Sequence, residues 1–409
     1  MKVVIIGAGP AGVTVAETLR GHGVDTDIVM ISAEPYPPYA PPAMADFFVT
    51  GREQSFYWKG RDVCDRLGIV YRSGTQVLEI DPSSKQVTLD GAGHVSYDHL
   101  VIASGSSLYV PIDGRDLSGI FNFKSLTAAS KLVDEVRQGR VEQALVVGAG
   151  FIGVEVALLL TELGVHVTMV EMMDRLMPRM LDPETASIVL AELQRRGIVV
   201  RLEAKASGFE GTTSVKNLVL ESTEPLTADA YVAATGAKPN VDYLAGSGLD
   251  VGWGIRVDDH LRTNIPDISA VGDVAETFDR FTDERYVHAI FPNAVAQARA
   301  VADRLAGYAG AYAGSERMNS LKHLGVPVIA VGTSSGSEEL RWRMGDQMRK
   351  VFLEDGRIVG FQLAGATGGA GVLRSLMLKQ TDVTPLRDRL VAPDFGVSDV
   401  AFPALSVLV

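Results

Sequence analysis

Two eleven-residue stretches carry most of the chemistry in this sequence. Residues 3–13 read VVIIGAGPAGV and residues 144–154 read ALVVGAGFIGV. In each, a β-branched run (Val3–Ile6, then Leu145–Val147) leads into Gly-x-Gly-x-x-Gly. The first glycine of such a triplet makes a tight turn, the second lets a pyrophosphate approach the backbone, and the third packs helix on strand. One copy uses Gly7, Gly9 and Gly12, with Pro10 and Ala11 before the third glycine. The other uses Gly148, Gly150 and Gly153, with Phe151 and Ile152 in the same places. A helix starting here presents free N–H groups and a positive dipole end to phosphate.

The flanking residues predict the elements that hold each triplet. Helical patterns follow, Val13-x-x-Ala16-x-x-Leu19 and Val154-x-x-Ala157-Leu158, stopping near Gly21 or Gly23 and near Gly164. A second apolar run comes next, Ile28–Ile31 and Val165–Val170. Strand, glycine turn, helix and strand make a βαβ unit, here twice. Glu171 closes the second run (VTMVE) and Glu34 lies just past the first (IVMISAE), where a carboxylate can accept from a ribose diol; Ser32 competes with Glu34 for that place. Two such units imply two dinucleotides, a flavin and a nicotinamide, one passing hydride to the other.

A chain of 409 residues is long enough for two or three domains. It is 46% hydrophobic and 22% charged, ordinary for a globular protein. Lys plus Arg total 38 against 50 for Asp plus Glu, and the formal charge of −12 disfavours nucleic acid and anionic membrane surfaces as partners. A local basic patch for an acidic protein remains compatible. The single cysteine, Cys64, allows no intramolecular disulfide and no Cys-rich metal site, and fits a reducing compartment. No stretch approaches the 18 or so apolar residues of a membrane span, and the Lys2–Ile6 start has no signal-peptide layout. The expectation is a cytoplasmic protein with neither membrane nor metal.

Three further stretches extend the pattern. YDHLVIASGSS (97–107) and ADAYVAATGAKPN (228–240) are near-repeats ending in Ser-Gly and Thr-Gly, and TNIPDISAVGDVAE (263–276) puts Gly272-Asp273 after a short apolar run. Taken in order over nearly the whole chain, these motifs resemble the two-dinucleotide-fold flavoproteins, also called pyridine nucleotide–disulfide oxidoreductases. The pattern is most similar to the NADH-dependent rubredoxin and ferredoxin reductases, the NADH oxidases and the flavin part of nitrite reductases. The resemblance implies an α/β fold with two Rossmann-like domains and a C-terminal α+β domain of a kind that forms homodimers. It places an FAD domain at 1–110 and 242–312, an NAD domain at 111–241, with PIDG (111–114) at the crossing, and the C-terminal domain at 315–409. Within the last, FLEDGRIVGFQLAG reads by itself as a hairpin turning at Asp355-Gly356.

The resemblance also implies roles. Gly7, Gly9, Pro10, Ala11 and Gly12 would cradle the FAD pyrophosphate, with Glu34 on the adenosine ribose, Ser104 and Gly105 beside it, and Gly272-Asp273 on the ribityl chain. FPNAVAQARAVADRLAG (291–307) would be a helix aimed at the flavin, its N–H groups near Ala294 and Val295 stabilising negative charge on the reduced ring. Gly148, Gly150, Phe151, Ile152 and Gly153 would hold NADH, with Glu171 on its ribose and Gly236 nearby. Phe151 stands at an aromatic gate position or simply starts the helix core. Glu155 stands near the nicotinamide or in a structural ion pair. Glu171 favours NADH over NADPH, with Arg175 close enough to reach a phosphate.

The loop PPYAPPAMADFF (37–48) departs from the family. Pro42 occupies the redox-cysteine slot, which removes a sulfur relay and disfavours disulfide, CoA-disulfide, dihydrolipoyl and sulfide substrates. Pro41 replaces a usual Arg, and Asp46 falls near a usual Lys that pairs with the carboxylate matched by Glu155. Lys59, in FYWKG (56–60), is the substitute cation or a solvated side chain. The function implied is an FAD-dependent NADH oxidoreductase passing electrons to a small redox protein or partner subunit. The alternatives are an oxygen-using NADH oxidase, an FAD/NADH subunit of a larger dehydrogenase complex, and an NADH-responsive interaction module.

Overall fold

The computed structural model describes residues 1–91, 93–282, 284–308 and 311–401, so the last residues of the expected C-terminal domain, 402–409, lie outside them. The chain forms two compact units. The first takes residues 1–109, 124–127 and 237–316, and the second takes 110–123, 128–236 and 317–409.

The first unit is built on a five-stranded parallel sheet. Its order is Ile268–Ala270, His99–Ile102, Lys2–Ile6, Asp27–Ile31, Val70–Arg72. Val3–Ile5 and Leu100–Ile102 are wholly buried, because a parallel sheet is covered on both faces and its strands read as continuous apolar runs. The helices Pro10–Gly21 and Phe291–Leu305 pack against each other. A three-stranded antiparallel sheet, Val77–Asp81, Gln86–Leu89 and Gly93–Ser96, completes this unit's larger elements.

A buried polar group gives this unit a pH dependence. His99 Nε2 meets the Ser269 hydroxyl at 3.1 Å, and that oxygen accepts from Arg304 Nη2 at 2.7 Å. Burial, then the charge of Arg304, hold the His99 pKa down to about 4. The unfolded chain titrates at about 6.5 and so binds the proton first. The contribution to stability is therefore full above pH ~6.5 and is lost as pH falls toward 4, on the order of 3 kcal/mol in all. Urea unfolding at pH 7 and pH 5 should show a smaller acid loss in His99→Leu than in wild type. Equal losses would remove His99 as the cause.

The second unit holds two sheets. One is parallel, ordered Val199–Arg201, His166–Val170, Gln143–Val147, Ala230–Ala233, Ile120–Phe121. The helix Phe151–Glu162 crosses between its central strands, and Pro183–Arg195 follows, capped where Asp182 accepts from the Thr185 N–H at 2.7 Å. The other sheet is antiparallel, ordered Met318–Leu321, Val328–Gly332, Arg357–Ala364, Gln347–Glu354, Glu338–Met344. The expected hairpin is present, with Asp355 and Gly356 both at positive φ, as a tight two-residue turn requires. Lys350 joins the two parts of this unit: its ammonium meets Asp182 at 2.5 Å and Glu184 at 3.0 Å.

Candidate functional site

The two glycine triplets have one geometry. Gly7 and Gly148 turn at φ 112° and 102°. A Cβ on Gly7 would lie 2.0 Å from the Ala103 carbonyl oxygen, and one on Gly148 would lie 2.5 Å from that of Ala234. A Cβ on Gly12 would lie 2.0 Å from the Gly7 oxygen, and one on Gly153 would lie 2.0 Å from the Gly148 oxygen. Outer glycines are thus fixed by chain packing. The middle ones are not: at Gly9 and Gly150 a Cβ would meet nothing within 4 Å. Each middle glycine is the N-cap of the following helix, and neither helix is capped by a side chain. Open space before uncapped N–H groups fits a pyrophosphate.

In the first unit, Gly272 brings two helix starts together. A Cβ there would lie 3.1 Å from the Ala11 Cβ and 3.8 Å from the Ala294 Cβ. The Gly272 N–H donates to Gln297 Oε1 at 2.6 Å. Asp273 Oδ2 accepts from Ser106 Oγ at 2.8 Å and from Lys124 Nζ at 3.0 Å. The Ala294 N–H, expected to face the flavin, donates to the Ile290 carbonyl at 3.1 Å instead. A helix leaves open only the N–H groups of its first turn, here those of the residues just before Ala294, whose N–H makes the first bond of the helix. Ser104 Oγ and the Ser104 carbonyl bond Asn240, at 3.1 and 2.8 Å, and the Asn240 N–H reaches the Gly105 carbonyl at 3.0 Å.

Glu34 is already engaged. Its Oε2 accepts from the Tyr39 hydroxyl at 2.5 Å; its Oε1 accepts from the Thr127 N–H at 3.0 Å and from Thr127 Oγ1 at 2.9 Å. Tyr39 also accepts from the Leu126 N–H at 2.9 Å. Burial and the neighbouring Glu34 carboxylate push the Tyr39 phenol far up. The segment Lys124–Thr127 therefore runs from Asp273 at one end to Glu34 at the other. Sequence reasoning did not find Lys124, Thr127 or Tyr39, because no local period links them to either glycine loop.

Lys59 pairs with Glu17 on the first crossover helix at 2.8 Å, so its charge is spent there. In the loop 37–48, Pro41 and Pro42 are exposed, and Phe47 stacks on Phe56 at 4.3 Å between ring centres. Cys64 is buried, and burial with Asp65 pushes its thiol up to about 11.

In the second unit, Glu171 is buried and ties two turns together: it accepts from the Ala149 N–H at 2.8 Å and the Met173 N–H at 2.9 Å. Arg175 is held within its own loop by Asp174 at 2.8 Å and the Leu181 carbonyl at 3.3 Å. Ile152 is exposed, while Phe151 is half-buried in a small cavity with Met177, Leu181, Asn319 and Leu321. Gly236 turns at φ 132° with open space around it. Among the described residues no His, Cys, Asp or Glu cluster is arranged to hold a metal, and no helix is long and apolar enough to cross a membrane.

Two parallel sheets, each with an open-centred glycine loop at a strand end, define a protein that binds two dinucleotides. The family profile "Pyridine nucleotide-disulphide oxidoreductase" matches residues 1–298, and the chain belongs to that family. It is an oxidoreductase whose cofactors are FAD and NADH. A rubredoxin-NAD(+) reductase of Pseudomonas putida is 34% identical over 313 residues, 75% of this chain and 80% of the relative. The epsilon subunit of an NADH-dependent phenylglyoxylate dehydrogenase of Aromatoleum evansii is 29% identical over 407 residues, 97% and 96% of the two chains. An NADH oxidase of Methanocaldococcus jannaschii is 29% identical over 395 residues, 89% and 88%.

Proposed function

We propose that this chain takes hydride from NADH onto FAD and hands the electrons outward to a small redox protein or a partner subunit. The observation that carries this reading is Cys64. It is the only cysteine, it is buried, and its thiol is held protonated at neutral pH. A thiolate is the reactive form, so this chain supplies no sulfur relay for the flavin's electrons. Bound FAD supplies the conversion of hydride into transferable electrons. The chain's own residues bind and orient: Gly7–Gly12 and Asp273 for FAD, with Lys124 holding Asp273 in place, and Gly148–Gly153 with Glu171 for NADH. Arg175 is tied to its own loop, away from a 2′-phosphate. The three relatives carry three different activities, so similarity alone does not choose the acceptor. The proposal also includes a homodimer formed through the C-terminal sheet, and a cytoplasmic location.

Anaerobic titration with NADH should take two electrons per FAD. Turnover should be fast with ferricyanide and slow with oxygen, and Cys64→Ser should stay within about threefold of wild type, or ~0.65 kcal/mol in barrier. Oxygen use as fast as dye reduction would replace this reading with the oxidase. A four-electron requirement would overturn the absence of a sulfur relay.

A further inference from the structure

The parallel sheet of the first unit controls the chain as far as Val271, whose N–H donates to the Ile102 carbonyl at 2.9 Å. Asp273 lies two residues past that bond, in the single 3-10 turn Gly272–Val274, which has no side-chain cap. Gly272 is buried and in the left-handed region, at φ 76°. Its N–H finds a side chain instead of the backbone: Gln297 Oε1 accepts it at 2.6 Å. Gln297 sits on the helix Phe291–Leu305 and is only 1% exposed. The other end of its amide is fixed too. Nε2 donates to Ser315 Oγ at 3.3 Å and to the Tyr312 hydroxyl at 3.5 Å. Those two hydroxyls meet at 3.1 Å, and Ser315 Oγ meets Thr277 Oγ1 at 2.7 Å. Ser315 is itself pinned by its backbone: its N–H donates to the Phe278 carbonyl and its carbonyl accepts from the Arg280 N–H, both at 2.8 Å. A backbone N–H can only donate, so Gln297 must turn its oxygen toward Gly272; a flipped amide would set donor against donor.

We propose that Gln297 is a positioning residue for the flavin site: through the Gly272 N–H it holds Asp273 in place, and Ser315 and Tyr312 decide which way its amide faces. This rests on the reading that Asp273 binds FAD. The physical point is where the sheet's control ends. Ser106 and Lys124 fix the Asp273 carboxylate, but the backbone that carries it lies past the last bond of the parallel sheet. Without the Gln297 oxygen the buried Gly272 N–H loses its partner, which is costly. A peptide next to a glycine then has the conformational freedom to turn toward another acceptor, and Asp273 turns with it.

The test is a double-mutant cycle of Gln297→Met with Asp273→Ala, read as FAD affinity by flavin fluorescence on the reconstituted full chain. Gln297→Met keeps the length and removes the acceptor, and should raise the FAD dissociation constant about tenfold. In the Asp273→Ala background the same change should add less than about twofold, because the residue it acts through is gone. Gln297→Glu keeps an oxygen toward Gly272 and should stay within about threefold of wild type. Tyr312→Phe with Ser315→Ala, which frees the amide to flip, should fall between, and runs the same cycle if Gln297→Met does not fold. Unchanged NAD+ binding controls for folding. Equal losses in both backgrounds, or wild-type FAD affinity in Gln297→Met, would overturn the proposal alone. Wild-type FAD affinity in Asp273→Ala would overturn the reading of Asp273 as well.

Discussion

Gly150→Ala should leave the protein folded and yellow yet weaken NADH binding ten- to hundredfold. Gly150 has φ −73° and ψ −176°, an extended conformation open to any residue, and a Cβ there meets no atom within 4 Å. The unliganded chain thus gives alanine room. The same methyl would occupy the space a pyrophosphate needs in front of the helix N–H groups. Loss of one charge-assisted hydrogen bond costs about 1.5–3 kcal/mol, hence the predicted range. Gly153→Ala is the contrasting variant: its Cβ would lie 2.0 Å from the Gly148 carbonyl oxygen, so the backbone must move and thermal stability should fall. Fluorescence titration with NADH and a melting curve distinguish the two. A Gly150→Ala enzyme with wild-type affinity would mean that the second loop does not hold the pyrophosphate.

Asp273→Ala should yield a protein that loses FAD on gel filtration, with affinity reduced at least about tenfold. Asp273 follows a glycine packed against Ala11 and Ala294, and its carboxylate carries both Ser106 and Lys124. Removing it would delete the acceptor proposed for a ribityl hydroxyl and release the anchor of Lys124. A hydrogen bond to a charged group contributes about 1.5–3 kcal/mol, or ten- to hundredfold. Asp273→Asn keeps one acceptor oxygen and should fall between. Full flavin occupancy in the alanine variant after dilution to nanomolar protein would refute the assignment.

The glycine loops were legible in the sequence because their spacing is local, a turn, a clearance and a packing contact within six residues, although the carbonyls that crowd Gly7 and Gly148 belong to Ala103 and Ala234, far along the chain. The hairpin at Asp355-Gly356 was legible for the same reason. Other parts of the site depend on residues far apart in the chain. Nothing around FNFKSLTAASK marks Lys124 as the partner of Asp273 or Thr127 as the partner of Glu34; locally the stretch reads only as the approach to the helix Leu126–Arg137. The helix starting at Phe291 was legible as a helix, but a pattern of apolar residues does not fix where its first hydrogen bond falls, here from the Ala294 N–H to the Ile290 carbonyl.

The strand order of the first unit has a consequence for how the protein is made. His99–Ile102 is flanked on one side by Lys2–Ile6 and on the other by Ile268–Ala270, a strand translated only after the whole parallel sheet of the second unit. Asp273 and the helix Phe291–Leu305 come later still. On a ribosome adding about 5–20 residues per second, the amino-terminal half-sheet waits with an unpaired apolar edge while the inserted sheet can already close. The nascent chain should therefore complete the parallel sheet of its second unit before that of its first. Ribosome-bound chains arrested near residue 260 should resist protease across 143–233 and remain unable to retain flavin.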